Sequence, residues 1–340
     1  MLNDNQLQGS LPRSLANCEG LELLDLGNNK IDDKFPVWLE ILSNLGVLIL
    51  RSNRFHGAIG NCQTKSPFPL LRIIDASHNV LTGALPTEIL NNFAAMKSSE
   101  DDQKGVEYMT KDSFFEGKGP YYVHSVSLII KGVEYSLERV LITRTVIDLS
   151  SNRFEGQIPE NIGSLHSLQT LSLAHNNFSG PIPKALGNLS MLESLDLSWN
   201  RLEGTIPTEL VNLDFLEFLN FSENRLVGPI PRGRHFDTFG DDSYRGNLDL
   251  CGFALAKDCG DTEAPPPATP WEAKQQYDDS EFFDGFTWKA VLLGYGCGLV
   301  LGSVMGGLVF STGKPRWFVL IVEESVKLRR RPRKWIHIRT

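Results

Sequence analysis

Among 340 residues there are only five cysteines and seven histidines, and no spacing among them resembles a metal site. No glycine-rich phosphate loop, catalytic HRD, GxSxG nucleophile elbow or HExxH is present, so the common routes to enzymatic chemistry are missing. Positive charge is also in deficit. A formal net charge of -8 and a pI near 5.5 argue against a nucleic-acid partner. One stretch lacks charge altogether: from Ala290 to Gly313 no Asp, Glu, Lys or Arg occurs.

What is abundant is a period. Asn152, Asn176, Asn200 and Asn224 recur at equal intervals, each inside one frame, clearest where Leu192, Leu195, Leu197, Asn200, Leu202, Gly204, Ile206 and Pro207 read LxxLxLxxNxLxGxIP. Leu168 to Pro183 and Leu216 to Pro231 repeat it, and Asn5, Asn29, Asn53 and Asn79 carry it upstream, giving eight units with the first incomplete. A fixed period of this kind predicts a solenoid. In each LxL the alternation predicts a short strand of a shared parallel sheet, both leucines inward and the residue between them facing solvent. The asparagine is expected to turn the chain and to satisfy backbone groups once per coil. Glycine allows the next bend, and Ile-Pro is expected to open an extended segment on the other side.

The LxGxIP segment resembles that of the plant-specific leucine-rich repeats, and the resemblance covers nearly all of the chain. It implies an α/β fold: a leucine-rich-repeat solenoid with a parallel β-sheet on the concave face, plus one transmembrane helix. The expected divisions are leucine-rich repeats over 1–93, an insert over 94–143, four repeats over 144–231, a C-terminal cap over 232–260, an acidic and proline-rich linker over 261–288, a transmembrane helix over 289–313 and a basic tail over 314–340.

The ladder breaks once, between Asn79 and Asn152, which stand about three periods apart. A long insertion in a solenoid loops out on one face, often the binding face. This one holds Tyr108, Tyr121, Tyr122 and Tyr135, with Phe114, Phe115 and the pair Lys131-Gly132. It is similar to the island of plant receptor-like proteins, which lies four repeats before the end of the ectodomain, and the resemblance makes Tyr108, Tyr121, Tyr122 and Lys131 candidates for ligand recognition. The aromatics could equally pack the insert onto neighbouring repeats.

After Pro231 the segment GNLDLCGFALAKDC looks like the family's C-terminal cap, and that resemblance pairs Cys251 with Cys259; Cys18 and Cys62 are expected to be buried thiols. The uncharged run exceeds the roughly 20 residues needed to cross a bilayer core. Arg316, Lys327, Arg329, Arg330, Arg331, Arg333, Lys334 and Arg339 follow it and an acidic stretch precedes it, so the repeats are expected outside, in a single-pass type I protein of the plasma membrane. Gly294, Gly298, Gly302 and Gly306 fall on one helical face, a stripe that lets a second helix approach closely. In receptor-like proteins such a stripe is associated with a receptor-like kinase partner. The segment 314–340 is too short for a kinase domain.

Once the repeats are outside, the sequons at Asn177, Asn188 and Asn220 become glycosylation candidates, Asn220 projecting from the concave sheet. Flanking the ladder, His175, Trp199, Arg201 and Arg225 form a candidate contact for a co-receptor kinase through the last repeats, against the plainer reading of a solvated polar face with one stray aromatic. The chain opens within a repeat with no apolar signal, so by this resemblance further repeats and a leader are expected upstream of Met1. The functional expectation is a cell-surface glycoprotein of plant defence that recognises an extracellular ligand (peptide, protein or small molecule), uses no cofactor or metal, and signals through a partner kinase. The alternatives are a secreted inhibitor of cell-wall hydrolases, a receptor kinase lacking its catalytic domain in this sequence, and a non-functional fragment.

Overall fold

The computed structural model describes residues 2–97, 126–137, 141, 143–233, 235–255 and 257–259. Two parallel seven-stranded sheets run through these coils, and the outer strands of the first two, Gln8–Gly9 and Lys30–Ile31, pair in a separate parallel sheet. The inner one is built from the LxL segments: Leu23–Asp25, Val47–Ile49, Ile73–Asp75, Val146–Asp148, Thr170–Ser172, Ser194–Asp196 and Phe218–Asn220. The outer sheet takes the residues just after each ladder asparagine, from His56–Ala58 and Val80–Gly83 through Arg153–Gly156, Asn177–Pro181, Arg201–Gly204 and Arg225–Pro229 to Asp249–Cys251. Between the sheets lies one continuous core in which the frame leucines are almost fully buried, with Phe154 stacked on Phe178 at 6.2 Å.

The extended segment therefore precedes Ile-Pro instead of following it. Pro159, Pro183 and Pro207 are themselves extended and each leads directly into a 3-10 turn: Glu160–Ser164, Lys184–Asn188 and Thr208–Asn212. Proline fixes φ and needs no donor at that position, so it both ends the strand and starts the turn. One coil uses a short α-helix, Thr87–Asn92, in the same place.

Asparagine ties each coil to its predecessor. Asn200 Nδ2 donates to the carbonyls of Leu197 (3.1 Å), Ser198 (3.1 Å) and, one coil back, Leu173 (3.0 Å), while its Oδ1 accepts from Phe178 N–H at 3.0 Å. The reversal of direction belongs to the residue before it. Asp4, Asn28, Ser52, His78, Ser151, His175, Trp199 and Glu223 all take φ between 52 and 56°, a left-handed conformation that side chains other than Asn and Asp rarely adopt.

The insert leaves the ladder intact. Val146 pairs directly with Ile73 in parallel register, and Asn152 Nδ2 donates to Ala76 O at 2.9 Å across the break. Both ends of the insert meet at Ser167, whose N–H donates to Met96 O at 3.0 Å and whose carbonyl accepts from Thr145 Oγ1.

Candidate inner-face and lateral recognition sites

The described part of the insert does not loop away from the repeats. Strands Val126–Ile130 and Val133–Leu137 form an antiparallel hairpin that is a separate two-stranded sheet. Alternation puts Val126, Leu128 and Ile130 on one face, where they bury against Val47, Ile49, Ile73 and Val146 of the inner sheet. The position between the two frame leucines is not solvent-facing throughout: Asp25, Ile49, Asp75 and Asp148 are buried, whereas Ser172, Asp196 and Asn220 are half-buried. The aliphatic residues at 47, 49, 73 and 146 gave no sign of this in the sequence, because a parallel strand reads apolar whichever layer covers it.

Lys131 and Gly132 form the two-residue turn of the hairpin, with φ of 53 and 73°. Lys131 Nζ is bonded to Glu217 and lies 3.5 Å from Glu193, and Arg144 Nη1 reaches the same Glu193 carboxylate at 3.5 Å. A Cβ on Gly132 would stand 3.4 Å from the Phe218 ring, so the turn sits close against the last inner strand. On the outward strand Glu134 holds Arg51 at 2.6 Å, while Val133 and Tyr135 are exposed. Hydrogen bonding to Glu217 raises the Lys131 pKa, and bonding to Lys131 lowers that of Glu217, so both ends of this pair stay charged.

Below Arg51 the inner sheet carries a row of carboxylates. Asp75 and Asp148 are neighbours in register and nearly inaccessible. Asp75 Oδ1 accepts from Ser77 N–H (3.0 Å) and Ser77 Oγ (2.6 Å), Asp148 Oδ1 accepts from Ser150 N–H (2.9 Å), and among the described residues Asp75 Oδ2 has no partner. Burial pushes both pKa values up, and for Asp75 the Asp148 charge adds to the effect. Asp25 and Asp196, in the same row, are raised by burial as well.

On the flank, Trp199 is 54% exposed and stacks on His175 with ring centroids 5.4 Å apart and planes within 11°. Arg201 and Arg225 lie beyond the intervening ladder asparagines, exposed on the outer sheet. A groove of about 530 Å³ on that sheet is lined by Ala84, Glu155, Gly156, Asn177, Ser179 and Arg201. The sequon at Asn177 thus opens beside two charged side chains. Asn188 is exposed at the end of a 3-10 turn. Asn220 is less free than a projecting side chain: its Oδ1 accepts from Ser222 N–H (3.1 Å) and Ser222 Oγ (2.7 Å).

At the end of the solenoid, Cys251 and Cys259 are disulfide-bonded. Cys18 is exposed and Cys62 half-buried, so the expectation of two buried thiols is corrected: Cys18 follows the 3-10 turn Arg13–Asn17, which buries no residue, and Cys62 lies in the lengthened connection after Asn53. Burial and a hydrogen bond to Glu40 push the Cys62 thiol up to about 12. The cap contains a ladder asparagine that the period did not reveal. Asn247 Nδ2 donates to Phe221 O (3.0 Å) and Tyr244 O (2.7 Å), and its Oδ1 accepts from Leu226 N–H (2.9 Å). The step from Asn224 is one position shorter than the regular one, and Tyr244 stands where the frame has leucine; a search for any large apolar residue three positions before asparagine would have found it.

Tyr108, Tyr121, Tyr122, the uncharged run 290–313, its glycines at 294, 298, 302 and 306, the linker and the basic tail lie outside the described residues. Among the described residues no helix is long and apolar enough to cross a membrane, and no group of side chains is arranged to hold a metal ion.

A family profile described as Leucine rich repeat matches residues 145–202. Receptor-like protein 34 of Arabidopsis thaliana is 52% identical over 317 residues, covering 93% of this chain and 32% of that protein. Receptor-like protein 43 of the same plant is 50% identical over 318 residues, covering 93% of the chain and 42% of its own length. The chain thus spans about a third of the length of the first relatives it matches. Among solved structures, the leucine-rich-repeat ectodomain of the Arabidopsis membrane receptor kinase GASSHO1/SCHENGEN3, in complex with CASPARIAN STRIP INTEGRITY FACTOR 2, is similar with a TM-score of 0.53 at 27% identity, covering 75% of this chain and 27% of that one. The peptide hormone receptor RGFR1 in complex with RGF2 is similar with a TM-score of 0.51 at 30% identity, covering 67% of this chain and 28% of that one. With half of its residues identical to these relatives over 93% of its length, and with the same kind of repeat, the chain is homologous to the plant leucine-rich-repeat receptor-like proteins.

Proposed function

We propose that this chain is the membrane-proximal part of a cell-surface receptor that recognises an extracellular ligand and passes the signal to partner kinases. The observation that carries the reading is the half-identity to receptor-like proteins over 93% of the chain, on a solenoid whose concave face is built up by the insert. In this reading residues 1–93 and 144–231 are the repeats, 94–143 the island, 232–260 the cap, 261–288 a linker, 289–313 a single transmembrane helix and 314–340 a cytoplasmic tail. Recognition, not catalysis, is its chemistry.

The ligand surface combines the island, with Tyr108, Tyr121, Tyr122 and Lys131, and the concave face that it overlies. A peptide ligand is supported by the peptide hormone receptor RGFR1, whose complex with RGF2 shares this fold. His175, Trp199, Arg201 and Arg225 supply a co-receptor contact: a stacked, exposed aromatic pair beside arginines is a composition found at interface hot spots. The stripe Gly294, Gly298, Gly302 and Gly306 pairs with the membrane helix of a receptor-like kinase. Glycans on Asn177, Asn188 and Asn220 and a role in defence complete the reading.

The test is expression of the full chain, behind a secretion signal, in plant cells. Surface biotinylation with a mobility shift on deglycosylation, and co-precipitation of a receptor-like kinase that is lost in a Gly298→Leu/Gly302→Leu variant, are the expected results. A chain that stays unglycosylated, with both tagged ends protected in the cytosol, overturns it.

A further inference from the structure

The hairpin Val126–Leu137 is attached to the solenoid unlike any other described element. It shares no strand pairing with the inner sheet, so no backbone ladder has to break for it to lift. Its apolar contact is a cluster separate from the main core. Among the described residues its other ties are the close approach of Gly132 to the Phe218 ring and side-chain ion pairs, Lys131 to Glu193 and Glu217 at the turn and Glu134 to Arg51 along the strand, and the carboxylates of Glu134 and Glu217 are well exposed. Two-stranded hairpins are marginal by themselves, and an element held by one small apolar cluster and side-chain ties opens at lower cost than the global fold.

Beside the strip that the hairpin covers lies a chemically unusual pair. Ile73 and Val146 lie beneath the hairpin, and two positions further along the same strands, on the same side of the sheet, come Asp75 and Asp148. The cation facing Asp75 is Arg51, and Arg51 is also the residue that Glu134 of the hairpin grips. Two carboxylates in one dry site resist double ionisation, so the covered state favours a proton in the pair; once water enters, both ionise freely. Other charged or titratable groups around them are Asp25 and Asp196 along the row, and His78 facing Asp148.

We propose that the hairpin Val126–Leu137 is a pH-sensitive strap over the inner sheet, seated when the Asp75–Asp148 pair holds a proton and released as that proton is lost. The direction follows from linkage. The seated state binds more protons than the lifted one, so rising pH favours lifting. Lys131 and Glu217 remain charged, so the turn latch sets how tightly the strap sits at every pH without supplying the pH dependence. Lifting uncovers Val47, Ile49, Ile73 and Val146, an aliphatic strip that no ligand reaches while the strap is down. The strap does not depend on the receptor reading, since it requires neither membrane nor kinase.

Amide hydrogen exchange of the intact chain in detergent, read by mass spectrometry at pH 5 and pH 8 and corrected for intrinsic exchange rates, tests it. Protection of 126–137 is expected to fall about tenfold or more relative to the outer strand Arg201–Gly204 between the two pH values. Asp75→Asn and, separately, Asp148→Asn should clearly reduce that fall, whereas Lys131→Gln should lower protection at both pH values and leave the ratio between them intact. If the wild-type hairpin and the outer strand keep the same relative protection at pH 5 and pH 8, the strap is not pH-gated; that comparison needs no variant to fold. A fall that is undiminished in both asparagine variants assigns the gate to other groups and overturns the proposal as well.

Discussion

Ile73 and Val146 are direct neighbours in the inner sheet, in parallel register, although the whole insert separates them in sequence. The insert is thus an excursion from a solenoid that closes behind it. Because Met96 and Thr145 both bond Ser167, its two ends are already adjacent. Replacing residues 98–143 by a short Gly-Ser linker is expected to leave a folded, cooperative solenoid. The same deletion bares Val47, Ile49, Ile73 and Val146, so binding of a hydrophobic dye should rise sharply. A deletion variant that is unfolded by circular dichroism would show that the insert is structurally required.

Asn200 makes four hydrogen bonds to backbone groups in two coils, all buried. Asn200→Ala leaves those groups without water or partner, and should cost about 2–4 kcal/mol in urea unfolding. Asn5, exposed and bonded among the described residues only to Leu2 and Asn3 in its own coil, serves as the control. There Asn5→Ala should cost less than about 0.5 kcal/mol.

Trp199 combines two opposed contributions. Its left-handed backbone, with φ of 53°, disfavours a bulky residue by about 1 kcal/mol, and its stack on His175 returns about 0.5–1.5 kcal/mol. Trp199→Asn removes both, and asparagine tolerates the conformation. The urea midpoint should therefore barely move while co-precipitation of the co-receptor kinase is lost. Undiminished co-precipitation would remove Trp199 from that contact.

The row Asp25, Asp75, Asp148 and Asp196 makes overall stability depend on pH with a sign opposite to that of ordinary salt-bridged carboxylates. Burial raises all four above the unfolded value of 3.8, Asp75 up to about 7. Their folded forms bind protons more tightly than the unfolded chain does, so the associated stability is complete below pH 3.8 and is lost as pH rises through the folded values, that of Asp75 lying about neutrality. The melting temperature should accordingly be higher at pH 5 than at pH 8, and Asp75→Asn should narrow the difference. Scanning calorimetry across that range measures it.

Much of the fold was legible because a solenoid repeats its instructions. Leu195, Leu197 and Asn200 have the same surroundings as Leu171, Leu173 and Asn176, so one correct reading of a coil transfers to the rest. The exceptions are contacts that cross the period. Nothing local to Lys131 points to Glu193 or Glu217, which belong to coils far along the chain, and nothing local to Ile49 distinguishes burial beneath a hairpin from exposure on an open face. Asn247 escaped because the cap shortens its step by one and substitutes tyrosine for leucine. At the candidate sites the sequence supplied the unusual residues, Trp199 and the Lys131-Gly132 pair, but not what they touch: the flat stack on His175 and the double glutamate grip both arise from neighbouring coils.

The column of left-handed residues before the ladder asparagines has an evolutionary consequence. Asp4, Asn28, Ser52, His78, Ser151, His175, Trp199 and Glu223 share one backbone geometry and almost nothing in chemistry. The frame holds that geometry through the asparagine behind it, so the side chain is left as a blank to be filled. Mutation can rewrite the column letter by letter, at a spacing set by the coils, and acquire new specificity without renegotiating the scaffold.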